Sequence, residues 1–439
     1  ILVPFEMDDN NVDVQLEEET AMPQSDVTGS LLLLAKDLKK GHGLCLVGHV
    51  MLVRNDNDEK GHNNNNNNNV SSSSNIELKF PSSNSIVADD ETKALSSLEE
   101  SSLEETVGGE EKKNGAAAGG ASSGAAAEED KIQINRRNSF DQRSSRVAFE
   151  NQYLLKSRCQ AQLQSFMTSN GVKGFANVVR ASDHYVGATA LMQVSGLGKL
   201  KTNTLVLPFP EDWHTRKDSL NKEFVGILGD AFDNGYGVVI LRSKGKSYAA
   251  ARDSSNPIDV WWNADDGGLT LLLPHLVAKS KAWRRHPSDM RVVSSLPEEN
   301  LGEAAGEIAR IQMLVDKFRI GATVKHVVLQ KMDQPGENEW KMFQQKYGAG
   351  TEGTTEYAGE QMSKYEEKMS KERVRLGQII QKESRGSRLV VITCPVPRRD
   401  KQTNPKYIRY YLACLDALSI VSKYAPVMMI HGNQEDNSM

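Results

Sequence analysis

Ten short runs rich in valine, isoleucine and leucine constrain this chain more than any other feature. The first five are residues 1–7 (ILVPFEM), 44–50 (LCLVGHV), 174–181 (GFANVVRA), 203–209 (NTLVLPF) and 236–242 (YGVVILR). Five more follow at 258–262 (IDVWW), 290–296 (MRVVSSL), 322–329 (ATVKHVVL), 388–394 (RLVVITC) and 426–432 (PVMMIHG). Runs without polar alternation are strands buried on both faces, and such strands need a mainly parallel sheet covered by helices on each side. Amphipathic stretches at 149–168, 222–232, 302–318 and 407–424 supply helices.

Five strands and then five, each series alternating with helices, predict an α/β fold of two consecutive half-domains. The first half-domain is expected over 1–55 and again over 149–246, with a linker at 247–257. The second is expected over 258–332 and 385–439. Residues 333–384 break the rhythm. There the Gly-rich YGAGTEGTTEYAG precedes EQMSKYEEKMSKERVRLGQIIQKE, which predicts a mobile loop and then a charged surface helix with opposite charges at i,i+4.

Between 56 and 148 the composition changes. This stretch holds an asparagine tract (63–69), a serine tract (71–74), the repeat SSLEESSLEE and GAAAGGASSGAAAEED. It offers too little apolar surface to offset the entropy of ordering, so a disordered insertion is expected. Net charge is −5, which gives no global basic face for nucleic acid. Cys45, Cys159, Cys394 and Cys414 lie far apart with no CxxC pair, which argues against a zinc ribbon or a disulfide framework. Cys45 and Cys394 sit inside apolar runs and read as buried small hydrophobes. The longest apolar run, GLTLLLPHLV, is shorter than the ~20 residues that cross a bilayer. The chain opens on Ile1 rather than Met, so it is expected to be part of a longer protein.

Four motifs invite a chemical reading. In IDVWWNADDGGLTLLLPHL the acidic Asp265 and Asp266 could hold Mg²⁺ at the carboxyl end of a strand. A structural account outweighs it: Asp266 caps the next helix and Gly267 and Gly268 allow the turn. SGLGKLKTN (195–203) lacks the spacing of a phosphate loop and precedes a strand, so it reads as a C-capping turn. His42 and His49 flank a strand as ordinary edge residues, and FDNGYG (232–237) stops a helix with left-handed conformers at Asn234 and Gly235. Last, RRNSFDQRSSR places Arg136 and Arg137 before Ser139 at the spacing that basic-directed kinases favour. A phosphate there would sit among Arg136, Arg137, Arg143 and Arg146. The same arginines also read as a solvated basic patch offsetting the acidic insertion, and both readings stay open.

IDVWW…DDGGLTLLLPHL followed by KAWRR resembles the signature of the cytosolic C-terminal domain of cation-chloride cotransporters, the Na-K-Cl and K-Cl symporters. SLLLLAKDLKKGHGLCLVGHV, VKGFANVV, SGLGKLKTNTLVL, DAFDNGYGVVILR, KFRIGATVKHVVL and CPVPRRD…YYLACLDALS…APVMMIHGN follow in that family's order, covering 1–54 and 149–439. GHVM and DAFDNGYGVV resemble the sodium-dependent branch, VKGF the potassium-chloride branch. The signature positions are Asp259, Trp261, Trp262, Asp266, Gly267 and Gly268. The resemblance implies paired universal-stress-protein-like units that regulate and dimerise a membrane transporter from the cytosol, with regulatory kinases, a second copy of the chain and the chain's own transmembrane domain as partners. It implies no catalysis, no metal and no nucleic acid. Relatives of that fold often bind ATP through a Gly-rich signature, and no intact copy supports a nucleotide site here. The alternative is a free-standing nucleotide-sensing α/β protein of the universal-stress type.

Overall fold

The computed structural model describes residues 2–5, 26–39, 45–52, 153–197, 200–262, 268–286, 289–297, 302, 304–329, 334–348 and 362–432. All ten apolar runs form strands: β1 (Leu2–Phe5), β2 (Leu46–Leu52), β3 (Phe175–Ala181), β6 (Thr204–Pro208), β7 (Gly237–Arg242), β8 (Ile258–Trp262), β9 (Met290–Pro297), β10 (Ala322–Leu329), β11 (Leu389–Thr393) and β12 (Val427–His431). They join one sheet in the order β10-β9-β8-β11-β12-β7-β6-β1-β2-β3. Every neighbouring pair is parallel except β12 with β7, where Met428 faces Leu241 and Ile430 faces Val239. Counted from its own first strand, each run of five on either side of that seam has the order 3-2-1-4-5.

Both faces are covered along the inner strands, as continuous apolar runs require, while the edge strands β3 and β10 leave Phe175, Thr323 and Lys325 exposed. One core gathers Leu32 and Leu34 of α1 (Asp26–Lys39), Leu163 and Met167 of α2 (153–169), Tyr248 of α5 (Tyr248–Arg252), Leu271 of α6 (Leu269–Ala278) and Ile311 of α7 (Ala304–Lys317). The opposite core gathers Leu191 of α3 (His184–Val194), Val225 of α4 (Asp218–Asp233), Phe343 of α8 (Glu337–Gly348), Ile380 of α9 (Lys364–Ser384) and Leu412 of α10 (Pro405–Leu418). Along β7, Val238 and Ile240 serve one core while Val239 and Leu241 serve the other. Each such aliphatic side chain removed from water contributes roughly 1.5–3 kcal/mol.

Local chemistry sets the helix ends. Ser363 and Glu366 form a reciprocal capping box at the start of α9, and the Asn404 side chain accepts from the Lys406 and Tyr407 amides ahead of Pro405 at the start of α10. Gly377 lets α9 close onto α10, because a Cβ there would stand 2.0 Å from the Ala417 carbonyl oxygen.

Several expectations are corrected. The stretch 247–257 is no bare linker: it holds α5, whose Tyr248 and Ala251 are fully buried. Within 333–384 the described residues form two helices, the expected Gly-rich loop at 349–361 lying outside them, and α9 is more than a surface helix, with Val374, Ile379 and Ile380 packed into the core. Its outer charges do pair at i,i+4 (Lys371 with Glu367 at 2.8 Å) and mask the inward stripe in the sequence. SGLGKLKTN does both: Ser195 caps the end of α3, its hydroxyl donating to the Leu191 carbonyl, and the chain continues as a small antiparallel ribbon, β4 (Gly196–Leu197) with β5 (Leu200–Lys201). His49 lies buried inside β2, an interior strand, and not at an edge. At the end of α4, Gly235 is left-handed at φ 75° while Asn234 stays at φ −91°. The last long helix ends at Leu418, where the Ser419 hydroxyl donates to the Leu415 carbonyl (2.6 Å), and a 3-10 turn, Ile420–Lys423, follows.

The chain divides into two units, residues 1–54 with 149–439, and residues 55–148. The second unit, and with it the expected insertion and Ser139, lies outside the described residues.

Candidate functional site

The signature residues of β8 are interior. Asp259 is 1% exposed and lies directly across the sheet from Arg291 of β9. Two parallel hydrogen bonds join them, Arg291 Nε to Oδ1 at 2.7 Å and Nη2 to Oδ2 at 2.8 Å, and the Ser387 hydroxyl donates to Oδ2 at 2.6 Å. Such a fork fixes geometry as well as charge. Trp261 and Trp262 alternate between the two cores, as successive strand residues must. Trp261 Nε1 donates to the Ser384 hydroxyl at 2.9 Å, whereas Trp262 Nε1 is buried with no partner among the described residues. The N-cap of α6 is Gly268, left-handed at φ 92° and without a side-chain cap. Asp265, Asp266 and Gly267 lie outside the described residues, as do His42 and Ser139.

In each run of five strands the order reverses beside the first strand, and the carboxyl ends there frame the crevice in which open α/β sheets bind ligands. For β8 the following residues are outside the described set. Beside β6 a crevice of about 410 Å³ opens, lined by Pro208, Glu211, Arg216, His184 and Glu223. His184 Nδ1 stands 3.3 Å from Glu223 Oε2, and its backbone amide donates to the same oxygen at 3.0 Å. Among the described lining residues the hydroxyl side chain is that of Thr28 on α1. Among the described residues no group of three or more His, Cys, Asp or Glu could hold a metal ion, and no helix is long and apolar enough to cross a membrane. The cysteines are thiols, and burial pushes Cys394 up to about 12, which leaves it a poor nucleophile near neutral pH.

At the seam, Arg242 of β7 is 3% exposed and ties three elements together. It donates to Glu211 through Nε and Nη2 (both 2.8 Å), to the Ser419 hydroxyl (2.7 Å) and to Asp416 of α10 (2.6 Å), with its guanidinium over the Phe209 ring at 4.4 Å. Lys346 of α8 also pairs with Asp416.

The model of solute carrier family 12 matches residues 133–249 and 247–438, well over half of the sequence. This chain belongs to solute carrier family 12. Mouse solute carrier family 12 member 3 is 29% identical over 62% of this chain and 30% of its own length. Rat solute carrier family 12 member 1 is 24% identical, covering 63% of this chain and 33% of its own. A solved cytoplasmic domain of a prokaryotic cation chloride cotransporter aligns at TM-score 0.36 and 16% identity, over 63% of this chain and 81% of that one. The chain spans about a third of the length of the curated relatives it matches.

In this family-12 domain, two of the resembling motifs meet through a contact invisible in sequence. Asp37 of SLLLLAKDLKK is 3% exposed and accepts from Trp283 Nε1 of KAWRR (2.9 Å), the Tyr248 hydroxyl (3.1 Å) and Arg252 Nη2 (3.1 Å). Burial pushes the Asp37 carboxyl up, and Arg252 is the strongest opposing influence. A lone aspartate in a Leu/Lys helix carries no signal for this, because its partners lie more than two hundred residues away. Asp37→Ala strands an indole N–H, a phenol and a guanidinium, and should cost about 3 kcal/mol. Urea unfolding of the variant checks this, and Asp37→Asn should fall between it and wild type.

Proposed function

We propose that this chain is the cytosolic C-terminal regulatory and dimerisation domain of an electroneutral cation-chloride cotransporter, which moves chloride with potassium, sodium or both. The family-model match across 133–438 carries this reading, and a chain spanning a third of its relatives' length fits one domain of a larger carrier. The two five-stranded runs act as paired universal-stress-protein-like units, and Asp259, Trp261, Trp262 and the turn at Asp266, Gly267 and Gly268 hold the second one in shape and do no chemistry. A domain of this kind acts by interacting differently with the conformations of its transport partner. Two-fold pairing is the commonest symmetry for such assemblies. Kinase input at Ser139 adds about two negative charges near Arg136, Arg137, Arg143 and Arg146.

Sedimentation of the purified chain should show a dimer at high concentration, and a monomer at every accessible concentration removes dimerisation. In cells expressing the full-length protein, potassium or sodium uptake should require chloride; uptake indifferent to chloride would sink the transport reading. That uptake should change in Ser139→Ala or Ser139→Asp, and equal flux in both, with wild-type Ser139 shown to be phosphorylated, removes the kinase input. The crevice beside His184 and Glu223 favours a second reading, nucleotide sensing, which saturable ATP binding by the purified chain would support.

A further inference from the structure

A cleft of about 670 Å³ opens where the C-terminal ends of α1, α2 and α6 come together. Helix α1 brings Lys36 and Lys39, the turn after α2 brings Lys173, and the segment after α6 brings Lys279, Lys281, Arg284 and Arg285. Arg252 adds an eighth cation, and Asp37, already paired with it, is the one acid among the described lining residues. Basic residues near helix C-termini ordinarily answer the helix dipole, which amounts to roughly half a negative charge per helix. Three helix ends and one aspartate therefore leave a surplus of several positive charges, on a chain whose net charge is −5.

The cleft is built rather than incidental. Lys36 Nζ donates to the Asn170 carbonyl at 2.9 Å and Lys39 Nζ to the Lys173 carbonyl, so both stems are pinned. An ammonium has three donors, so one such bond does not by itself exhaust either lysine. Beneath them the Asp37–Arg252–Trp283–Tyr248 network fixes the floor. The walls come from segments far apart in sequence, so they enclose a compact ligand and do not form a strip along a polymer. Among the described residues no aromatic ring lines the cleft, the Trp283 and Tyr248 rings lying beneath its surface, so a nucleobase finds nothing there to stack on.

We propose that this cleft binds clustered phosphates, as carried by an inositol polyphosphate, either free or as the headgroup of a phosphoinositide. The ligand supplies the charge that the lysines and arginines lack among themselves. Binding relieves their mutual repulsion and stabilises the fold by mass action.

The test uses the purified 439-residue chain and isothermal titration with inositol hexakisphosphate, alongside flotation with phosphatidylcholine vesicles doped with phosphatidylinositol bisphosphate. Wild type should bind saturably and melt at a higher temperature with the ligand. Lys281→Glu with Arg284→Glu should weaken binding at least about tenfold through lost charge-assisted bonds. Lys341→Glu with Lys368→Glu makes the same charge change on α8 and α9 and should weaken binding less than about threefold, because distant exposed charges are screened. If the first pair unfolds the chain, Lys279→Gln with Lys281→Gln serves instead, with the melting transition as the check. Binding in solution without vesicle recruitment identifies a free ligand; recruitment that inositol hexakisphosphate competes away identifies the headgroup. The proposal is overturned if neither probe binds. It is equally overturned if the α8–α9 pair loses as much as the cleft pair, or if phosphatidylserine vesicles of equal charge bind as well.

Discussion

Trp262→Ala should lower the unfolding free energy by about 3–5 kcal/mol, because a nearly inaccessible indole leaves a cavity that the β8–β11 neighbourhood cannot close. Trp262→Phe should behave differently from Trp261→Phe. The Trp262 indole N–H is buried without a partner among the described residues, so phenylalanine removes a desolvated donor along with some volume, and the two effects offset each other. At Trp261 the same change strands the Ser384 hydroxyl and should cost about 1–2 kcal/mol more than at Trp262. Urea midpoints of the three variants, measured with unchanged slopes, give the answer. Equal loss from both phenylalanine variants would show that ring volume alone sets the cost. The comparison separates the two tryptophans of one dipeptide, which composition and strand alternation treat alike.

Arg242→Met should cost about 3–5 kcal/mol, since among the described residues it leaves the buried Asp416 carboxylate paired with Lys346 alone. Arg242→Lys keeps the charge but loses the forked contact to Glu211 and should fall between the two. Arg242→Met combined with Asp416→Leu should recover much of the loss, because replacing a whole buried pair costs far less than breaking it. No recovery would show that Arg242 acts through Ser419 and Phe209 instead. The pH dependence has a definite sign. Burial alone raises the Asp416 carboxyl, but Arg242 and then Lys346 outweigh it and hold it below its ordinary value of 3.8. A depressed carboxyl adds stability that is fully present above the unfolded value and disappears as pH falls through the folded one. The gap between wild type and Asp416→Asn should therefore be constant near neutrality and close in acid, below the ordinary carboxylate range. A gap that widened on acidification would contradict the ion-pair account.

Much of the architecture was legible because its signals are local. Runs such as VVIL and LVVIT have no polar alternation, and only a sheet covered on both faces accommodates them, so strand positions and the α/β class follow from sequence. The family could also be read from ordered motifs, and its model matches 133–438, which takes in those from VKGFANVV onward but not SLLLLAKDLKKGHGLCLVGHV. Helix α9 was half legible: its i,i+4 charge pairs were apparent, while the inward stripe of Val374, Gly377 and Ile380 was diluted by the charges around it. The candidate sites were less legible. Asp259 could be singled out in its motif, yet its fork with Arg291 depends on register between β8 and β9 across an intervening helix.

Strand and helix placement thus came from short-range patterning, where burial and propensity act over a few residues. Tertiary structure alone decided the rest. It decided that β7 and β12 meet antiparallel and merge two runs of five strands into one sheet, because backbone pairing between strands far apart in the chain leaves no periodic trace. It likewise decided that Asp37, Tyr248, Arg252 and Trp283 share one buried carboxylate, and that three helix ends gather their lysines and arginines around one cleft. Electrostatic energy depends on distance in space, and the chain fixes that distance only once it has folded.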